Sequence, residues 1–329
     1  MLVTGGCGYK GSVLVPKLLA AGHKLTVLDA QWFGSNLEDH ERLEIVIDDL
    51  RELKNAEHWL CGYDAIIHLA GIANDPCGEL DAKLTWEVNV LATMRLAHAA
   101  AAAGVKQFIF ASSASVYGIK DNEPVNELTS MEPVSDYNKT KMVAERVLMS
   151  YADKMAIQIV RPATICGMSP RMRLYTMVNM LTMQALEKGE ITAHCGESGA
   201  GLMRPNTHIE DITDLYLFML ERPWLTGAFN AGFENISAMD TANMIARFVP
   251  AKVNVTTVKD KRSYAVDSSK LLSVGFKPEY RVADAINDIN IAFGEGRFRR
   301  EERCINLHWM RKQGLASDVQ GAYEKKVMA

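Results

Sequence analysis

The sequence has no stretch that approaches the roughly 18–20 consecutive apolar residues needed to span a bilayer. Its nearest attempt, LATMRLAHAAAAAGV, is broken by Arg95 and His98. No membrane segment is expected. A signal peptide is not expected either, because the first residues already form a glycine-rich element. Cysteine is sparse. Cys7, Cys61, Cys77, Cys166, Cys195 and Cys304 lie far apart, with no CxxC and no zinc-like spacing. They read as reduced thiols of a cytoplasmic protein, and the adjacent His194-Cys195 lacks neighbouring ligands for a metal. Excess charge is missing too. A formal net charge of -4 gives no basic surplus for nucleic acid or an anionic membrane. The Arg-rich EGRFRREER at 295–303 alternates with Glu and reads as a solvated helix face. There is no internal repeat and no composition shift that marks a linker.

What is present is an ordinary globular composition, 48% hydrophobic and 23% charged over 329 residues. Short apolar runs alternate with helical patterns. MLVTG, KLTVLDA, LEIVID, DAIIHLAG, QFIFASS and AIQIVRPA read as strands. GSVLVPKLLAAGH, LTWEVNVLATMRLAHAAAAAG and SDYNKTKMVAERVLMSYADK read as helices between them. Near-continuous apolar strands suit a parallel sheet covered on both faces. The expected fold is α/β, a Rossmann-type doubly wound parallel sheet. Beyond about residue 165 the alternation weakens. The expectation is a dinucleotide domain over 1–165 and a smaller C-terminal substrate-binding α/β lobe over 166–329, with some later segments free to return to the core.

Four glycines crowd the first eleven residues, MLVTGGCGYKG. Gly5, Gly8 and Gly11 form G-x-x-G-x-x-G between a strand and a helix. In that context the first allows a tight turn, the second a close approach to a pyrophosphate, and the third tight helix–strand packing. Phosphates would sit at the helix N-terminus, where free N–H groups and the dipole favour negative charge. Asp29 lies 18 residues beyond Gly11, at the end of the second strand. An acid there accepts hydrogen bonds from ribose hydroxyls and repels a 2′-phosphate, so NAD is favoured over NADP. Lys10 either contacts a phosphate or snorkels to solvent. Asp49 and Leu50, after the third strand, can hold and pack an adenine; Asp48 can equally be a helix N-cap.

Tyr137 and Lys141 stand four residues apart in SDYNKTK and so share a helix face. An ammonium beside a phenol lowers the tyrosine pKa and makes it a usable base. Ser113, at the end of a strand in FASSASVYG, can hydrogen-bond the same substrate oxygen.

With these motifs the chain resembles the extended short-chain dehydrogenase/reductase superfamily, in its UDP-galactose 4-epimerase-like nucleotide-sugar epimerase/dehydratase branch. The resemblance runs through TGGCGYKG, IDDLRE, HLAG, VNVLAT, SSASVYG, YNKTK, RPATICG and RPNTHIEDI, nearly the whole chain. It implies that Ser113, Tyr137 and Lys141 carry acid–base work while NAD takes a hydride from a sugar carbon, and that Lys141 also holds the nicotinamide ribose. It implies that Tyr9, Leu69, Ala70, Gly71, Asn89 and Ser112 join the cofactor set. Thr164, Asn179, Arg204, Arg262 and Tyr264 would contact the sugar nucleotide. A homodimer, built through the helices near 83–103 and around Tyr137, is also implied.

The chain departs from the pattern in two places. Where the family's 4,6-dehydratases carry an acidic pair, this chain has Ala114 and Ser115, and the latter also replaces the Glu of the related decarboxylases. Elimination and decarboxylation are thereby discounted. Thr164 stands where the family's epimerases have Asn, and Cys166 reads as an apolar filler. Arg171 and Arg173 are placed near the substrate entrance. The expected activity is NAD-dependent 4-epimerisation of a nucleotide sugar. A net dehydrogenase or ketosugar reductase using the same residues, and a dinucleotide-sensing regulator without chemistry, stay open. A lipid substrate is disfavoured by the arginines.

Overall fold

A computed structural model describes residues 1–53, 56–120, 124–196, 201–258 and 264–315. Twelve strands are formed among them: β1 (Leu2–Thr4), β2 (Leu25–Leu28), β3 (Leu43–Val46), β4 (Ala65–His68), β5 (Gln107–Ala111), β6 (Ala156–Pro162), β7 (Thr164–Cys166), β8 (Glu190–Cys195), β9 (Met203–His208), β10 (Gly227–Ala231), β11 (Glu234–Ser237) and β12 (Lys252–Thr257). Seven of them make one sheet in the order β10-β6-β5-β4-β1-β2-β3, every pair parallel. This is the doubly wound α/β fold expected from the strand–helix alternation.

The apolar runs explain why both faces of this sheet are covered. Side chains alternate across a strand. Val3, Val27, Ile67, Ile109 and Val160 enter a core with the helices Gly11–Ala20 and Ile209–Leu220. Their neighbours Leu2, Leu28, Ile66, Phe108, Phe110 and Ile159 enter a second core with the helices Ala92–Ala102 and Asp136–Met149. β10 reaches the sheet edge from the later half of the chain. That half also forms a three-stranded sheet β11-β9-β7 and a parallel pair β12-β8, packed around Val178, Leu181, Ile191 and Ile245. Cys166 is fully buried in that cluster, as a filler should be.

The helix expected through LTWEVNVLATMRLAHAAAAAG is one continuous coil with an irregular centre. Ala82–Trp86 is α-helical, Glu87–Leu91 is a π turn, and Ala92–Ala102 resumes the α-helix. Periodicity cannot reveal such an inserted residue. Its effect is local: Asn89 sits inside the π turn and bonds a loop 17 residues earlier.

One buried polar cluster crosses the layers. Arg161 on β6 pairs with Glu145 at 2.6 Å, with side chains only 6% and 4% exposed. Glu145 also accepts from the Ser112 hydroxyl at the end of β5. Arg161 donates to the Tyr117 hydroxyl at 2.8 Å, and Tyr117 donates to Asn230 of β10 at 2.7 Å. A buried ion pair is tolerable because these bonds satisfy it; losing one member strands the other charge, at about 3–5 kcal/mol. Glu145→Ala is therefore expected to lower the urea unfolding free energy by about that amount. A loss below about 1 kcal/mol would show that water compensates the guanidinium.

Candidate functional site

The strand order reverses between β1 and β4, and a doubly wound sheet opens its crevice at the carboxyl ends of such strands. A cavity of about 1110 Å³ lies there. It exceeds the roughly 300–1,000 Å³ typical for one drug-sized ligand. The glycine turn forms its floor. Gly5 has φ +71°, and a side chain there would stand 2.6 Å from the Ala70 nitrogen. Gly11 packs so tightly on Gly6 that a Cβ would lie 2.3 Å from its carbonyl oxygen. A Cβ at Gly8 would meet only the Gly5 oxygen, at 3.2 Å. Protein packing thus demands the first and third glycines, whereas Gly8 leaves the cavity floor bare for a ligand.

The chemical residues meet over this floor. The helix Asp136–Met149 starts at Ser135, whose hydroxyl accepts from the Asn138 N–H. It presents Tyr137 and Lys141 to the cavity. Gly78 makes room for the tyrosine, since a Cβ there would lie 2.9 Å from the Tyr137 Cβ. The Ser113 hydroxyl hydrogen-bonds the phenol and lies 2.8 Å from the Ser115 hydroxyl. Ser112 turns the opposite way, and its hydroxyl is taken by Glu145, so only its backbone borders the cavity. The electrostatics differ from the sequence expectation. Burial holds the Tyr137 phenol above its ordinary pKa; the Ser113 hydrogen bond and the Arg173 charge pull it down. Lys141 is turned to the Ala111 carbonyl at 2.9 Å, over the Phe110 ring. Burial lowers its ammonium to about 8, against the pull of Glu145. Arg173 is a further cation that favours phenolate, one that the spacing of Tyr137 and Lys141 could not reveal.

Along the dinucleotide side, Asp29 accepts from the Cys7 and Gln31 N–H groups at 2.9 and 2.8 Å and lines the cavity. Burial raises its pKa against these bonds. Asp49, Leu50, Leu69, Ala70 and Gly71 also line it. Asp49 caps the short turn Leu50–Glu52 and is held by Arg51 at 2.8 Å, so the cap is Asp49 and not Asp48. Asn89 does not reach the cavity wall. Its amide accepts from the Ile72 N–H at 2.8 Å and donates to the Ile72 carbonyl and the Thr140 hydroxyl at 3.0 Å. It holds the loop at Ile72, next to Gly71, where a Cβ would stand 2.9 Å from the Asn89 amide oxygen.

On the other side, Thr164, Arg204 and Tyr264 line the cavity. Arg262 lies outside the described residues. Asn179 does not line the cavity. It is fully buried, accepts from the Gly167 N–H, and donates to the Tyr9 hydroxyl and the Arg173 carbonyl, each at 3.0 Å. Its amide is occupied by the protein, which leaves nothing to offer a phosphate. Tyr9 borders the cavity, but its hydroxyl donates to the Gly167 carbonyl at 2.7 Å. Sequence reasoning missed the far wall entirely. Trp32, Phe33, Asn306 and Met310 line it. Arg171 stacks on Phe33 at 4.2 Å and donates to Asn306 at 2.8 Å. Trp309 donates to the Trp32 carbonyl at 2.6 Å. The aromatic pair after Asp29 was the available signal, but its partner lies more than 270 residues away.

A family model described as the NAD dependent epimerase/dehydratase family matches residues 1–232. A UDP-glucose 4-epimerase of Lactobacillus helveticus is 26% identical over 312 residues, covering 87% of this chain and 94% of the relative. The solved UDP-glucose 4-epimerase of Thermus thermophilus, in complex with NAD, superposes with a TM-score of 0.79 at 24% identity, covering 89% and 98%. DesIV of Streptomyces venezuelae, a dTDP-glucose 4,6-dehydratase solved with NAD, superposes with 0.80 at 23%, covering 90% and 97%.

The donor set fits such a cofactor. Among the described residues, Asn74, Arg171, Arg173 and Thr176 all line the cavity and each carries a buried side-chain N or O without a hydrogen-bond partner. Buried unpaired polar atoms are uncommon in native proteins, and here they cluster where phosphates and riboses would supply acceptors and donors. The bonding of Tyr9 and Asn179 gives a separate test. Tyr9→Phe leaves the Gly167 carbonyl and the Asn179 amide short of a partner, and is expected to cost about 1–3 kcal/mol in thermal or urea unfolding. A sugar-nucleotide KM that rises tenfold without loss of stability would instead place Asn179 on the substrate.

Proposed function

The chain belongs to the NAD dependent epimerase/dehydratase family, and from that premise we propose that it is a nucleotide-sugar 4-epimerase. The observation that carries this reading is the meeting of Ser113, Tyr137 and Lys141 above the bare floor at Gly8, inside one cavity with unpaired cationic donors. NAD, when bound, would supply reversible hydride acceptance at C4 of the sugar, which epimerisation requires. Gly5, Gly8, Gly11, Asp29 and the backbone of 69–71 would hold it. Tyr137 takes the proton of the 4-hydroxyl and returns it. Ser113 holds the same oxygen through its hydroxyl, and Lys141 holds the nicotinamide ribose. Thr164, Arg173, Arg204 and Tyr264 face the sugar nucleotide from the 166–329 half and its boundary. Ser115, hydrogen-bonded to Ser113, cannot shuttle the proton that water elimination needs, which disfavours a dehydratase. The far wall of Trp32, Phe33, Asn306 and Met310 supports a retained cofactor, which suits epimerisation better than net oxidation. Leu91, Met94 and Met149, exposed by 42%, 41% and 42% on the helices near 91–102 and 136–149, support a homodimer through that face.

The test is a panel of UDP-, dTDP-, GDP- and CDP-sugars. C4 interconversion without net NADH is expected; stoichiometric NADH release would make the protein a dehydrogenase. Tyr137→Phe should lower kcat by about 10²–10⁴-fold while NAD stays bound. Because burial raises the phenol, kcat/KM should climb with pH as the base form appears. Arg173→Met removes a charge that favours phenolate, so its limb should move to higher pH, and an unmoved limb would take Arg173 out of the base's environment.

A further inference from the structure

Lys10 stands inside the glycine turn, at the N-cap position of the helix Gly11–Ala20, and is one of the residues that line the cavity. Its surroundings are unusual for a lysine. The ammonium reaches the hydroxyl of the fully buried Tyr216 at 3.4 Å and lies 5.7 Å from that ring's centre. Lys141 and Arg173, both cations, are the charged groups that act on it. Among the described residues it makes no ion pair, whereas Lys17 on the same helix pairs with Glu210 and Asp214 at 2.7 and 2.5 Å. None of the acids that line the cavity, Asp29, Asp48, Asp49, Asp75 and Glu79, pairs with Lys10, and most are engaged elsewhere. Asp29 accepts from two backbone N–H groups, Asp49 is held by Arg51, and Asp75 accepts from the Ser135 hydroxyl. A partly buried cation without a counter-ion is costly, and an anion entering the cavity would complete it.

Resting on the reading above, we propose that Lys10 is a binding residue for a diphosphate, that of the dinucleotide held by its own turn, and that it adds a side-chain charge to a cradle otherwise made of backbone N–H groups. Its place on the turn favours this diphosphate over that of the sugar nucleotide. Burial and the two neighbouring cations bring the Lys10 ammonium to about 7. An adjacent diphosphate raises that value, so binding takes up a proton, and affinity should fall as pH rises above about 7. The other groups facing it are Tyr216, pushed up by burial, His68, held near 3, and Lys141, near 8. Only Lys141 titrates in the same window, and its share of the slope survives when Lys10 is replaced.

The experiment is calorimetric titration of nucleotide-stripped wild type, Lys10→Met and Lys10→Arg with NAD, ADP-ribose and UDP between about pH 6 and 9. A charge-assisted hydrogen bond corresponds to roughly ten- to a hundredfold in affinity. Lys10→Met should lose that much for NAD and for ADP-ribose alike at pH 6, keep UDP unchanged, and show a shallower pH slope. Lys10→Arg should recover most of the loss. Nucleotide-free Lys10→Met should melt no lower than wild type, since it removes an uncompensated cation. Unchanged NAD affinity overturns the assignment. So does a loss confined to NAD, which would place Lys10 at the nicotinamide, or one confined to UDP, which would place it at the substrate. A wild type that binds neither NAD nor ADP-ribose overturns the cofactor reading as well.

Discussion

The ion pair between Glu145 and Arg161 sets the geometry on which the site rests. Tyr137, Lys141 and Glu145 follow one another at intervals of four and so lie along one helix face. The last of them is locked into the sheet by the guanidinium of β6 and the hydroxyl of Ser112. That lock fixes the rotation of the helix, and with it the direction in which the phenol and the ammonium point. It also fixes Ser112 inward, so the next residue along the extended chain, Ser113, must face the cavity. One buried charge pair thereby orients Ser113, Tyr137 and Lys141, the three residues of the proposed site.

The floor depends on a second constraint, the distance between backbones. β1 and β4 are neighbours, and the turn after β1 presses on the residues after β4 until only glycine fits at position 5. Asn89 holds the same loop from the other side, from within the π turn. π turns are rare and gather at functional sites. Here the inserted residue brings an amide within reach of Ile72 without bending the flanking helices away from their cores.

Much of this was legible in the sequence, for physical reasons. Parallel strands are buried on both faces, so they read as apolar runs. A glycine required by close approach leaves its mark just behind an apolar strand, and a pair on one helix turn is visible as four residues. What escaped depended on direction or on distance along the chain. Asn179 looks like a phosphate ligand until its three hydrogen bonds to the protein are seen. Lys141 is the neighbour of the phenol that the spacing shows, whereas Arg173, 36 residues beyond Tyr137, adds a second cation that the spacing does not. The wall that joins Trp32 and Phe33 to Asn306, Trp309 and Met310 has no local signature, because its halves are far apart in the chain and meet only over the cluster of Ile72, Cys77, Leu80, Leu84 and Val88.

The unpaired donors around the cavity make nucleotide supply a term in the folding equilibrium. Each buried polar atom left without a partner weakens the native state relative to the unfolded chain, in which water solvates it. A ligand that binds only the native state restores the balance by mass action, about 2.7 kcal/mol at a hundred times its dissociation constant. On the proposed function, Asn74, Arg171, Arg173 and Thr176 would couple the lifetime of the chain to the concentration of its small molecules. Starved of them, the same protein stands closer to the threshold at which it unfolds.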